Sequence, residues 1–341
     1  MKVACENMER VITIAHTPFE VGTDDYIIRC YEALRKKTGD PPTFIAAKGL
    51  VNSVKPHDSV IISTGWVVPP YMPRGEIDGP IGAAGLARAI HFGLEANITL
   101  VSEESCLPVH DAVCRAAGLS TGSIRTPSTV SVRSFPIDEE EAIKEAKVLL
   151  GELNPSAIIT IEKCGRNEKG VWHTGFGNDM SSTTAKVDYL VEQAHDNGVL
   201  TIGIGDLGNE IGLGVIRDTV KEVVKYGATC RCPCSSGIST IVESDIPVFS
   251  GCSNWSAYAI EACLSGLLEK PDLLHHAETE RSMVEAAVEA GALDTTLEPT
   301  FTCHIWDVKY HISIIEVLRA LISARLERLT GKYERSVALR R

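Results

Sequence analysis

The sequence predicts an α/β fold: a mostly parallel sheet sandwiched by helices, Rossmann-like and three-layered, with its active site at the C-terminal ends of the strands. Three observations predict it. Short apolar runs at residues 59–63, 96–101, 156–161, 199–204 and 246–250 alternate with segments of helical spacing, the order of a parallel βα sheet. These runs are near-continuously apolar, as strands covered on both faces must be. Several of them end in polar turns containing glycine, and open α/β sheets bind ligands at that edge.

The totals narrow the class. The chain has 341 residues, 44% of them hydrophobic, with a net charge of −12 and a pI near 5.4. No Lys/Arg cluster occurs outside the C-terminal tail, so no nucleic-acid partner is expected. No apolar run approaches the roughly 18 residues of a membrane span, so no membrane partner is expected either. The start, MKVACENMER, reads as neither a secretory signal nor a transit peptide. Eleven cysteines scattered without a framework point to a reducing, cytoplasmic setting. With no repeat or linker, residues 1–341 read as one continuous domain.

Residues 1–57 are the least legible. Residues 11–15 suggest a short strand, and residues 24–37 and 44–54 have helical spacing. The strand at 59–63 runs into Thr64-Gly65, and a proline-rich loop then ends in Glu76, Asp78 and Pro80 before a helix over 81–92. Asp78 ahead of Pro80 is a helix-start signal, and it also suits a cavity shared with the Thr64-Gly65 loop. After the strand at 96–101 come a helix over 103–117, a strand over 129–135 and a helix over 138–150. Asp138 caps the last of these and Glu139 to Glu141 fill its first turn.

The strand at 156–161 ends in Glu162, Lys163, Cys164, Gly165 and Arg166. Arg166 or Lys163 suits a substrate carboxylate; a Glu162–Arg166 ion pair is the bland alternative. Residues 167–182 are glycine-rich and polar, carry Trp172, His173 and Asp179, and read as a lid or substrate loop. A helix over 186–197 leads into the central stretch at 199–214, VLTIGIGDLGNEIGLG. Its turn places Asp206, Asn209 and Glu210 at a strand end among Gly205, Gly208, Gly212 and Gly214. A simple helix cap needs one acid, not two.

A helix over 215–226 precedes Cys230, Cys232 and Cys234. Structural zinc sites pair C-x2–4-C with a second half elsewhere, and no matching pair exists, so these read as buried or incidental thiols. The strand at 246–250 runs into Ser253, Asn254 and Trp255, then a helix over 256–267. A helix over 282–290 and a closing one over 311–326 complete the chain, with a frayed tail from 330. His304 and His311 bracket the entry to the closing helix. Its apolar stripe suits a core or a subunit interface, so a homo-oligomer stays open.

Familiar motifs fit poorly. The central turn spells G-x-G-x-x-G at 203–208, but Asp206 directly after the second glycine would repel a pyrophosphate, and the chain has no P-loop and no D-x-D partner for a dehalogenase-type phosphatase turn. Across several separated stretches, however, the chain resembles the D-glutamate cyclase-like family. The shared stretches are Thr64-Gly65, E-x-D-G-P at 76–80 with Gly82-Ala83, I-E-x-C-G-R at 161–166, G-x-G-D-x-G-N-E-I-G-x-G at 203–214 and S-N-W at 253–255. The closing helix, with His311 and Glu316, fits more loosely. Departures are Leu207, the Leu293-Asp294-Thr295 stretch and the C-R-C-P-C segment.

The resemblance implies a lyase that closes D-glutamate to 5-oxo-D-proline with loss of water. That chemistry needs a base for the ammonium, an acid for the departing oxygen and charge stabilisation. Asp206 and Glu210, with Asn209 beside them, are the expected catalytic residues, or ligands of a Mg²⁺ or Mn²⁺ that polarises the carboxyl. Lys163 and Arg166 are expected to hold substrate carboxylate, and Asp78 or Glu162 the ammonium. Thr64, Gly65, Ser253 and Asn254 complete the expected substrate-binding set. Two other classes stay open: another lyase, racemase or phosphate-handling enzyme for a different acidic metabolite, and a non-catalytic amino-acid-binding protein.

Overall fold

The computed structural model describes residues 1–14, 20–122 and 129–329. Seven strands form one all-parallel sheet: β1 (Ser59–Thr64), β2 (Asn97–Ser102), β3 (Ser120–Thr121), β4 (Thr129–Ser134), β5 (Pro155–Ile161), β6 (Leu200–Gly205) and β7 (Ile246–Phe249). Their order is β3-β4-β2-β1-β5-β6-β7. The expected parallel α/β sheet is present, with β3 as a two-residue edge strand too short to leave a periodic signal.

Burial on both faces explains the apolar runs. Val60, Ile62, Leu100, Ile159 and Ile202 point into one core, shared with α3 (Pro42–Ser53), α4 (Pro80–Leu94) and α9 (Ser253–Leu268). Their neighbours Ile61, Val101 and Ile158 point the other way, toward α6 (Glu139–Leu153) and α7 (Val187–Asp196). Helix–sheet–helix layering follows directly. Outside the first face pack α1 (Lys2–Ile12), α5 (Leu107–Ala116), α10 (Ala277–Glu289) and α11 (Val308–Leu329). A third cluster joins α2 (Tyr26–Thr38) to α8 (Arg217–Val223) and Phe249 beside the C-terminal strand edge.

Several expectations change. Residues 11–12 end helix α1 instead of starting a strand, because Cys5, Met8 and Ile12 are spaced for a helical face and are fully buried; residue 15 lies outside the described residues, as does the tail from 330. The helix after the central loop is shorter than expected: a 3-10 turn over Gly214–Ile216 precedes α8. Trp306-Asp307, which the sequence reads as the opening of the closing helix, instead forms β9 (Trp306–Asp307) and pairs antiparallel with β8 (Thr302–Cys303) before α11 begins. Asp138 caps α6 as expected, accepting from the Glu141 N–H at 3.0 Å. Cys5 and Cys263 form a disulfide between α1 and α9, where the spacing predicts no framework; the other nine cysteines are free thiols. Among the described residues no helix is long and apolar enough to cross a membrane.

Candidate active site

The chain builds outward from β1 through β2 to β4 and then returns to β5 on the other side of β1. A crevice opens where strand order reverses in this way. Thr64 pairs with Ile161 and Ile161 with Ile204, so β1, β5 and β6 end level. Gly65, Glu162 and Gly205-Asp206 therefore share one rim.

The loops after β5 and β6 are fastened to each other. The Gly165 N–H donates to the Asn209 carbonyl and the Ile211 N–H to the Lys163 carbonyl, both at 2.8 Å. Glu210 folds back over its own turn and accepts from the N–H groups of Gly208 at 2.7 Å and Leu207 at 3.1 Å. That fold-back requires glycine at 205, where a Cβ would lie 2.6 Å from the Glu210 carboxylate. Glu210 thus organises the loop that presents Asp206.

The first turn of α9, which begins at Ser253, caps α4, and Asp78 serves α9 instead of its own helix. The Asn254 side-chain oxygen accepts from the Gly79 and Gly82 N–H groups at 3.0 and 2.7 Å. In return Asp78 Oδ1 accepts from the Asn254 N–H at 3.1 Å, and Asp206 Oδ2 from the Ser253 N–H at 3.1 Å. The positive end of α9 therefore faces two carboxylates. The Ser253 hydroxyl donates to Glu162 at 2.5 Å.

These groups, with Glu76, surround the half-buried ring of His304. His304 Nδ1 lies 3.5 Å from Asp78 Oδ2 and 3.7 Å from Asp206 Oδ2. It sits in the β8–β9 turn at φ 50°. Asp294 holds that turn by accepting from the Ile305 N–H at 2.9 Å and the Thr302 hydroxyl at 2.7 Å.

Burial and mutual repulsion divide the protons unequally. Burial, then the nearby Asp206 and Glu210 charges, pushes Glu162 well above the carboxylate range. Glu76 rises in the same way, by burial and then Asp78. Burial raises Asp206 to about 8, although His304 pulls it down, so it is mostly neutral at pH 7. Burial also opposes ionisation of Asp78, but His304 and the Asn254 N–H outweigh it and hold Asp78 below its ordinary value. Burial disfavours the His304 cation, yet Asp206 and Asp78 raise it to about 9. The site therefore holds an ion pair beside acids poised to exchange protons.

The acids open onto a cavity of about 60 Å³ lined by Tyr26, Trp66, Glu76, Glu162, Phe176, Asp206, Asn209 and His304, among others. That holds roughly five waters at the space a water needs. Acceptors are left over: Thr64 Oγ1, Glu76 Oε1 and Asn209 Oδ1 are buried without a partner in the protein. A larger open groove of about 900 Å³ passes Arg74, Glu104, Ser134 and Ile137. It lacks such a cluster of buried acids, and its one buried carboxylate, Glu103, is occupied by Lys163.

Two expected ligands lie elsewhere. Lys163 is fully buried, donating to Glu103 at 2.5 Å and to the Gly65 carbonyl at 2.6 Å. Arg166 turns toward α7, where Asp188 and Glu192 accept from it at 2.9 and 2.8 Å and Tyr189 stacks on it; its ion pair is with these two and not with Glu162. Asn254 is spent on capping. Asp206, Asn209, Glu162, Asp78, Thr64 and Ser253 do converge. His311 is also occupied, accepting from the Trp255 indole and bonded to the Cys303 carbonyl, both at 2.9 Å. Sequence reasoning undervalued His304 and missed Tyr26 and Phe176; only the E-x-D-G-P loop hinted at Glu76.

Carboxylate oxygens of Glu162, Asp206 and Glu210 lie within 4.8 Å of one another, a donor set that suits a hard divalent cation. Glu210 already spends its oxygens on backbone N–H groups, so Glu162 and Asp206 are the better-placed ligands.

Comparison with known proteins agrees with this architecture. The chain is similar over 211 residues, at 25% identity, to the human (Homo sapiens) protein named D-glutamate cyclase, mitochondrial; the match covers 60% of this chain and 32% of that one. The match thus spans about a third of that relative's length. Residues 22–319 match the family described as D-glutamate cyclase-like, C-terminal, and the chain belongs to that family.

Proposed function

We propose that the chain is a lyase that closes D-glutamate to 5-oxo-D-proline, reversibly and with loss of one water, at the cavity beyond β1, β5 and β6. One observation carries the reading: buried acids with separated proton affinities surround the His304 imidazolium and line one small cavity with it. The reaction breaks two N–H bonds of the ammonium, forms the N–Cδ bond and breaks one C–O bond of the γ-carboxylate, whose oxygen carries both protons away as water. Asp206 in its ionised form, the minor one at pH 7 and the major one above pH 8, takes an ammonium proton and frees the nitrogen lone pair to attack the γ-carboxyl carbon. Protonated Glu162 gives its proton to the departing oxygen and then takes the second proton from the attached nitrogen, while Asp206 passes on the proton it took, so the oxygen leaves as water and both acids return to their starting states. The His304 cation faces the developing negative charge, while Thr64 and Asn209 accept from the substrate ammonium.

Lys163 and Arg166 are no longer needed for the substrate carboxylates, since both are held by protein acids. A Mg²⁺ or Mn²⁺ on Glu162 and Asp206 would polarise the γ-carboxyl when bound. Asp206→Asn and Glu162→Gln, each assayed for turnover with its circular dichroism spectrum, test the assignment. Loss of turnover with an unchanged spectrum is expected; retained turnover in either variant refutes that residue's role. A different small acidic metabolite on the same scaffold is the second reading, favoured by the departure at Leu293-Asp294-Thr295, whose Asp294 holds the turn that carries His304.

A further inference from the structure

The C-R-C-P-C segment lies outside the acidic cavity, yet it is not alone in space. His173, in the loop before α7, turns its ring toward the three sulfurs. Its Nε2 lies 3.3 Å from Cys232 Sγ and 3.6 Å from Cys234 Sγ. Cys230 Sγ lies 3.5 Å from Cys232 Sγ and 3.3 Å from Cys234 Sγ. All four donor atoms fall within 4.8 Å of one another.

We propose that His173, Cys230, Cys232 and Cys234 form a closed, structural Zn²⁺ site. Zinc–sulfur and zinc–nitrogen bonds of about 2.3 and 2.0 Å in a tetrahedron place the donors roughly 3.5–3.8 Å apart, close to the spacings above. Three thiols and an imidazole, with no carboxylate among them, select zinc over magnesium or calcium. The missing second half of the sequence motif is a single histidine nearly sixty residues upstream, which no local spacing reveals. Outer hydrogen bonds fit thiolate ligands: Asn167 Nδ2 donates to Cys234 Sγ at 3.4 Å while also binding the Gly237 carbonyl at 2.7 Å.

The location gives the site a task. The His173 carbonyl accepts from Asn209 Nδ2 at 3.1 Å, and the Gly177 carbonyl from the Arg231 N–H at 2.9 Å. Gly175 and Phe176, between these anchors, line the acidic cavity. A zinc here staples the cavity wall to the cysteine loop and fixes the loop that carries Asn209.

The test uses the full chain, purified anaerobically from zinc-replete medium without chelator. Elemental analysis is expected to give close to one zinc per chain. Cobalt replacement is expected to give the ligand-field bands of a tetrahedral ion together with thiolate charge transfer, a readout that needs no variant. Cys232→Ser and His173→Ala are each expected to lose the metal. Chelation is expected to open residues 167–182 to limited proteolysis. A zinc-free protein with three titratable thiols, or one with a Cys230–Cys234 disulfide, overturns the proposal. So does zinc retained after all three cysteines are replaced by serine, which would place the ion elsewhere. None of these readouts depends on the D-glutamate reading.

Discussion

Replacing Asp206 by Asn should remove turnover and at the same time stabilise the protein, increasingly so as pH rises. Burial lifts the Asp206 carboxyl from 3.8 to about 8, so between these values the folded state binds a proton that the unfolded state has released. Stability contributed by this group must therefore fall as pH rises through that window, and the cost is complete only above the folded value. The slope is about 1.4 kcal/mol per pH unit, or about 3 kcal/mol between pH 5 and pH 7. Asparagine is isosteric, cannot ionise, and its side-chain oxygen keeps the bond to the Ser253 N–H. Urea midpoints of wild type and variant at a series of pH values measure the difference. The variant should gain on wild type steadily across the window. A difference that stays flat from pH 5 to pH 8 refutes the reasoning, because it means Asp206 ionises as freely folded as unfolded.

Other predictions follow from neighbouring residues. His304→Gln removes the imidazolium facing Asp78 and Asp206; turnover should fall by about 10²–10³-fold, and the decline of kcat/KM above pH 9, set by His304 deprotonation, should vanish while the rise set by Asp206 moves above pH 8, because His304 no longer holds that carboxyl down. Lys163→Met leaves Glu103 buried and unpaired and should cost about 3–5 kcal/mol in urea unfolding. The Lys163→Met/Glu103→Leu pair should recover most of that with KM unchanged, whereas a raised KM would restore Lys163 to the substrate site. Gly79→Ala forces a left-handed φ of 92° on alanine and drives its Cβ into Thr64 Oγ1; the expected loss is about 1–3 kcal/mol by thermal unfolding, and a neutral result would contradict the packing described.

The strands were legible because burial on both faces leaves continuous apolar runs such as SVIIS and SAIITI. The rim was legible too: Asp206, Asn209, Glu162 and Asp78 follow directly on strand ends or helix starts, where local sequence places them. What sequence hid was direction. Lys163 and Arg166 flank Cys164 and Gly165 in one short loop, yet one turns into a buried pair with Glu103 and the other toward α7, a choice made by distant partners. Asn254 reads as an ordinary cap and does cap, but for a helix more than 170 residues away. His304 and Tyr26 reach the cavity from a two-residue ribbon and an N-terminal helix, elements whose position only tertiary packing sets. His173 meets the cysteines for the same reason.

The most direct test of the central claim is proton NMR of the purified protein with D-glutamate, L-glutamate and 5-oxo-D-proline, each with Mg²⁺ and with EDTA. Interconversion confined to the D series is the predicted result, and the EDTA arm assigns or removes a cation at Glu162 and Asp206. No conversion of either enantiomer in any arm, from folded protein, would contradict the proposed reaction while leaving the family and the fold unchanged.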